Sequence, residues 1–326
     1  QQAALTVKYR HRIWDTQKSA PQNVKHFVSY YLLRRNARKE KKFNSFMKEH
    51  MALSKPVRSL LDFKQQAQGF DLLISGSDQL WNPQFTGAQL DPVYFLATGG
   101  EQRKYAYASS AGAYVYTAEE QLALQQYLSS YAKVAVREDF LRQQLLPLRK
   151  DVDVVLDPTL LLNKAAWLAW SRPFQGLPQA FVLLYTFDND AKTIATARRI
   201  ATALKLPIVS LFKVKTKHTI DITLDDLGPQ EFLHLMASCS FVVTNSFHGT
   251  AFALNFQKDF YSIYKTSNPH RVLNLLGQLG LTARVLKELD ELPAEAAAWA
   301  IDYTEAEGLL DSLRHKAYGF LNFNLC

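Results

Sequence analysis

Cysteine is nearly absent from this chain: Cys239 and Cys326 are the two thiols in 326 residues. Two distant thiols make no disulfide framework and lack the clustered spacing of a zinc site, so the sequence predicts a reducing compartment, the cytoplasm. No apolar run approaches the ~18 residues of a spanning helix, and the first residues carry no signal-peptide core, so no membrane crossing is expected. There is no HExxH pair, no paired-cysteine motif, no EF-hand loop and no Walker loop, which leaves no metal site and no ATP hydrolysis to predict. Glycine is missing before Gly69, although an open α/β sheet usually begins with a strand and a glycine-rich turn. Either a first unit is lacking or this sheet begins differently.

What is present is ordinary globular composition, 48% hydrophobic and 21% charged, in a length that suggests two domains of ~150 residues. The formal charge of +8 points to an anionic partner: a phosphorylated metabolite, a lipid headgroup surface or nucleic acid. Much of the excess lies in Arg34-Arg35-Asn36-Ala37-Arg38-Lys39-Glu40-Lys41-Lys42. The segment 24–50 mixes these cations with aromatic residues and reads as one or two amphipathic helices. Such a face suits peripheral contact with anionic lipid; the weightier alternative turns the aromatics into the core and leaves the cations solvated. No RNA or DNA module surrounds the run, so nucleic acid is not expected as a partner.

Short apolar runs at 5–9, 71–75, 104–110, 133–136, 152–156, 180–186, 208–212, 241–244, 260–264 and 283–286 read as strands. Helical spacing occupies 119–131, 191–204, 229–237, 249–254, 272–279 and 304–321. Alternation of the two predicts an α/β fold of two Rossmann-like, doubly wound domains facing a cleft. The linker-like stretch 171–178 sets the expected boundary: a first domain over 1–170, a second over 171–303, and a helix within 304–326 packing back on the first.

Ligands of open α/β sheets bind at the carboxyl ends of strands. The strand, turn and helix of 241–254 put His248 at such an end with helix amides beside it, a place for an anion; the bland alternative is a loop histidine without chemistry. Asp78, Gln79 and Asn82 follow the strand at 71–75, where a polyol could be held, although Ser77 or Asp78 capping a turn explains them equally. Ser109 and Ser110 are small residues at a strand exit, where a ligand can approach the backbone. Arg137 ends another strand and is either a fork for a carboxylate or phosphate, or a structural partner of Glu138 or Asp139.

Five motifs occur in register: Gly76-Ser77-Asp78-Gln79-Leu80-Trp81-Asn82, Tyr107-Ala108-Ser109-Ser110-Ala111-Gly112, Val136-Arg137-Glu138, Leu156-Asp157-Pro158-Thr159-Leu160-Leu161 and Ser246-Phe247-His248-Gly249-Thr250. Together they resemble the polysaccharide pyruvyl transferase family over residues 71–281. The resemblance implies a GT-B-like fold and transfer of the enolpyruvyl group of phosphoenolpyruvate to a sugar, commonly as a ketal, with release of phosphate. It implies no cofactor, phosphoenolpyruvate being the donor substrate, and products that decorate capsules, exopolysaccharides and cell-wall polymers.

In family terms Arg137 and His248 match positions of donor binding and catalysis. Where other branches carry Ser-x-Arg-Leu-His, the arginine position is Ser246 here, so Arg271 or Lys265 must supply a donor contact. The expected site is therefore His248 as general acid and Asp78 as base, with Arg137, Arg271, Ser246, Gly249 and Lys265 on the donor and Gln79, Asn82, Ser109 and Ser110 on the saccharide acceptor. A lipid-linked acceptor at the inner face of the cytoplasmic membrane follows if segment 24–50 touches lipid. Two alternatives share the fold, a nucleotide-sugar glycosyltransferase and a non-catalytic polysaccharide-assembly protein.

Overall fold

The structure is a computed structural model that describes residues 35–186, 188–214, 220–265 and 270–322. The expected strand at 5–9, the start of the basic segment and Cys326 lie outside them. In the first lobe, helices α1 (Arg35–His50) and α2 (Leu60–Ala67) precede a parallel sheet. Its strands are β1 (Leu72–Ser75), β2 (Arg103–Ser109), β3 (Lys133–Val136) and β4 (Val152–Val154), paired in that order. Helices α3 (Ala118–Ser129) and α4 (Asp139–Leu145) connect them. Thr117 and Glu120 form a reciprocal capping box that starts α3. Trp81 stacks on Phe95 at 5.0 Å, and Leu124, Leu128, Leu141 and Leu145 fill the space beside them.

The second lobe runs α5 (Lys164–Ala169), β5 (Val182–Tyr185), α6 (Ala191–Leu204), β6 (Ile208–Ser210), β7 (Ile222–Thr223), α7 (Pro229–Ser238), β8 (Phe241–Thr244), α8 (Phe247–Asn255), β9 (Asp259–Ile263), α9 (His270–Gln278), β10 (Val285–Leu286) and α10 (Thr304–Leu321). Its six parallel strands are ordered β10-β9-β8-β5-β6-β7. Strands β5 and β8 are buried at every position, as the near-continuous apolar runs of a sheet covered on both faces require. The chain winds outward from β5 in one direction and from β8 in the other, so their shared crevice is a topological switch point, where doubly wound sheets bind ligands.

The chain crosses between lobes earlier than the linker-like stretch suggests. Leu156 and Leu160 already belong to the apolar core of the second lobe. Residues 171–178 lie against α7 instead, with Arg172 N donating to Gln230 O and Phe174 against His234. At the other end, α10 returns to the first lobe: Ala317 and Phe320 pack with Tyr107, Ala135 and Val155, and Tyr318 donates to Leu161 O at 2.7 Å.

Helix α1 reaches the second lobe. Arg38 pairs with Asp226 and Lys42 with Glu231, both at 2.9 Å, and Lys39 lies over the Phe212 ring. Phe46 meets Trp170. Three cations that suggested a lipid-facing surface are thus engaged with protein, and Phe43 and Phe46 on the same helix are half-buried. Among the described residues no helix is long and apolar enough to cross a membrane.

Candidate active site

The site begins with the step from β8 into α8. Ser246 caps the helix, its hydroxyl accepting from Gly249 N at 3.4 Å. The helix starts at Phe247, two residues before the apolar pattern indicates, so His248 sits within the first turn, at the positive end of the helix dipole. A Cβ on Gly249 would come within 2.2 Å of Thr244 Oγ1 and 2.7 Å of Tyr185 Cδ1. Glycine is therefore what lets α8 seat on the strands and aim His248; the residue is buried against them and does not border the cleft.

At the switch point Asp188, just beyond β5, accepts from Asn245 Nδ2 at 2.8 Å and Thr186 Oγ1 at 2.9 Å and pairs with Lys265. One carboxylate ties the loops that leave β5, β8 and β9. Burial would raise its pKa, but Lys265, Asn245 and Thr186 together hold it at about 2.

The first lobe contributes a buried charge cluster. Arg137 Nη1 donates to Asp157 Oδ2 at 2.7 Å and to Ser77 Oγ at 3.3 Å, while Thr159 donates its backbone N–H and hydroxyl to Asp157 Oδ1. Burial opposes ionisation of Asp157, yet Arg137, His248 and Thr159 hold its pKa at about 2. Glu138 has no exposure; its Oε1 accepts from Ser110 Oγ, Ala111 N and Gly112 N. Burial raises the Glu138 pKa against the pull of Arg137. Arg137 Nε and Nη2 make no hydrogen bond to the described residues, standing 3.8 Å from Glu138 Oε2 and 3.7 Å from Asp78 Oδ1.

Asp78 holds a backbone φ of +85°, an unusual value outside glycine, and its carbonyl accepts from Ser110 N. The second lobe closes on this cluster. His248 Nε2 lies 3.8 Å from Asp157 Oδ2, and the guanidinium groups of Arg137 and Arg271 lie 4.9 and 5.5 Å from the Phe247 ring centroid.

Between the lobes is a cleft of about 720 Å³. Of the residues singled out in the sequence, Asp78, Gln79, Asn82, Ser246, His248, Lys265 and Arg271 border it. Arg137, Ser109, Ser110 and Gly249 stand behind its wall. Ser109 and Ser110 are fully buried, and Ser110 holds Glu138 rather than facing the cleft. Asn82 is 3% exposed and its amide is engaged with Gln84 N and Ala111 O. Sequence reasoning left out Asp157, Asp188, Gln84, Phe85 and Tyr114. The Asp157-Pro158-Thr159 turn at the end of a strand was the available signal for the first of these.

His248 is open to the cleft over 37% of its side chain and enclosed by protein elsewhere. Burial pushes its pKa below the ordinary 6.5; Asp157 and Asp78 pull it up, while Arg137 and Arg271 push it down. With the cleft empty, burial and the two guanidinium groups thus favour the neutral imidazole. Arg271, lowered to about 10 by burial and by Arg137, keeps its charge there.

The profile of the polysaccharide pyruvyl transferase family matches residues 3–266, which takes in the first lobe and the second lobe through β9, with His248 and its strand, and ends before Arg271. The chain belongs to this family. It is a transferase by that membership, and the family's chemistry is pyruvyl transfer in polysaccharide synthesis. No curated protein matches the chain in sequence. Among solved structures, a Listeria monocytogenes protein assigned as a UDP-N-acetylglucosamine 2-epimerase is similar at 12% identity and a TM-score of 0.54, covering 82% of this chain and 80% of that one. The UDP-GlcNAc 2-epimerase of Methanocaldococcus jannaschii aligns over 83% of this chain and 87% of its own, at 11% identity and a TM-score of 0.46. At such identities the likeness concerns the fold, and the first of the two agrees with the GT-B-like arrangement of two facing Rossmann-like lobes.

For this family member the neutral His248 has a measurable consequence. An anion entering the cleft offsets Arg137 and Arg271 and favours the imidazolium. Histidine ring NMR should therefore show His248 titrating below 6.5 in the free protein and moving upward on addition of phosphoenolpyruvate. An unshifted or falling value would contradict the electrostatic account.

Proposed function

We propose that the enzyme transfers the pyruvyl group of phosphoenolpyruvate to two hydroxyls of a saccharide, forming a ketal and releasing phosphate. The observation that carries this reading is the distribution of groups around the cleft. Lys265, Arg271, the first turn of α8 and His248 line one wall, and Asp78 with neutral amides lines the other. A donor bearing a carboxylate and a phosphate suits the first wall, and a polyol suits the second.

In this scheme the donor's charge raises the pKa of His248, which then delivers a proton to the methylene carbon. A sugar hydroxyl bonds to the central carbon while Asp78, whose side chain is 46% exposed, accepts its proton. The C–O bond to phosphate breaks, the second hydroxyl closes the ring, and its proton leaves with the phosphate. Asp78 then gives up its proton to solvent and His248 regains one from it, so two hydroxyl protons lost are matched by one gained on the methyl group and one on the phosphate, with no change of oxidation state. Asp157 keeps His248 and Arg137 in place from behind.

Phosphoenolpyruvate is a cytoplasmic metabolite, and this reading puts the reaction there, on a free or a lipid-linked saccharide. The test is incubation with phosphoenolpyruvate and a panel of glycosides, followed by phosphate assay and mass spectrometry. Phosphate release with gain of one pyruvyl ketal is expected. Sugar transfer from a nucleotide sugar without use of phosphoenolpyruvate would replace the proposal with the glycosyltransferase reading.

A further inference from the structure

We propose that the first-lobe wall of the cleft is a platform for the apolar face of a neutral pyranose, centred on Phe85. The inference rests on the pyruvyl-transfer reading and adds which kind of sugar the enzyme accepts.

Charge is segregated across the cleft. The cations that border it, Lys265 and Arg271, belong to the second lobe, as does His248. On the first-lobe side, among the described residues, Asp78 at the seam is the charged one, and the remaining lining there includes Gln79, Gln84, Phe85, Tyr114 and Val115. Phe85 and Val115 are each 67% exposed, high for apolar side chains facing a cleft floored by buried charge. They come from separate loops, one after β1 and one after β2.

Those loops are fixed to each other. Asn82 Oδ1 accepts from Gln84 N at 3.0 Å, holding the short turn Pro83–Phe85, and Asn82 Nδ2 donates to Ala111 O at 2.9 Å in the other loop. Tyr116 OH donates to Trp81 O at 2.8 Å, a second tie between them. The exposed ring is thus presented by a prepared surface, and little ordering is needed when a ligand covers it.

A pyranose presents C–H groups on one face and hydroxyls around its rim. The C–H face fits an aromatic ring and a neighbouring valine, and the rim hydroxyls fit the amides of Gln79 and Gln84. Among the described residues this wall exposes no cation to a sugar carboxylate, Arg137 being buried behind it, and Asp78 repels one. The same surface therefore selects against uronic and other acidic sugars through an unfavourable contact rather than a missing favourable one.

Saturation-transfer NMR with methyl β-glucopyranoside, methyl β-galactopyranoside and methyl β-glucuronide tests this on the full chain. Wild-type protein should transfer saturation to the C–H protons of one face of a neutral glycoside and bind the glucuronide about tenfold more weakly. Phe85→Ala should weaken the neutral glycoside by about tenfold, and Phe85→Trp should restore it to within about threefold. An unchanged melting temperature would show that both variants fold. Equal affinity in Phe85→Ala, a preference for the glucuronide, or no neutral glycoside bound by the wild type would each overturn the platform. Turnover with an unchanged acceptor KM in Phe85→Ala refutes this inference alone, whereas failure of the wild type to bind phosphoenolpyruvate refutes the functional reading.

Discussion

Replacing His248 with alanine is expected to lower turnover by about 10²- to 10⁴-fold, the usual worth of a positioned proton donor. Donor affinity should stay within a few fold, because Lys265, Arg271 and the amides of α8 all remain. The imidazole is the titratable group in the first turn of α8, faces the cleft, and is held between Asp157 and two guanidinium groups. Single-turnover phosphate release paired with a phosphoenolpyruvate titration separates the two quantities. A variant that keeps most of its rate would remove His248 from the proton transfer and leave the cleft's other acid to be sought. A parallel loss of affinity would instead give the ring a binding role.

Arg137→Ala is expected to destabilise the fold by about 3–5 kcal/mol, since it strips the counter-charge from a buried pair. Asp157 would lose a 2.7 Å ion pair, and Glu138, with no exposure, would lose its neighbouring cation. Through the usual relation for domains of this size, the melting temperature should fall on the order of 10 °C. Acid modulates the effect in a defined sense. The folded-state pKa of Asp157, about 2, lies below the ordinary 3.8, so its contribution is present above pH 3.8 and disappears as the pH falls through 2. The gap between wild type and variant should therefore be widest near neutrality and narrow below pH 3.8 in calorimetric scans. An Arg137→Ala protein that melts with the wild type would mean that the cluster is not a source of stability. It would also point to Arg137 as a ligand contact alone.

Much of the second lobe was readable in advance because its determinants are local. The β-branched run at 241–244, the serine cap and the close-packed glycine follow one another along the chain, and helices α6 and α10 occupy the residues their spacing indicates. The short strand Ile222–Thr223 and the helices at 60–67 and 139–145 were not separable from loops, being too brief for a clear period. The site was legible in its motifs and less so in its roles. Arg137, Asp157 and His248 all stand in recognisable motifs, yet the choice between an arginine that grips a ligand and one that grips an aspartate 20 positions away depends on distance in space. Ser109, Ser110 and Asn82 follow the same pattern: polar residues at strand ends that the packing turned inward. Phe85 gave no signal at all, because a single phenylalanine after a proline carries no period, and its exposure exists only once the two loops are brought together.

Among the described residues the polypeptide passes between the lobes near Leu156 and again into α10, and both passages are anchored. Arg314 Nε donates to Leu160 O at 2.8 Å, while Asn255 Nδ2 donates to Thr159 O and Leu162 O. Arg314 Nη2 also donates to Asn255 Oδ1 at 3.2 Å, so a single network clamps the outgoing and the returning chain together at one seam.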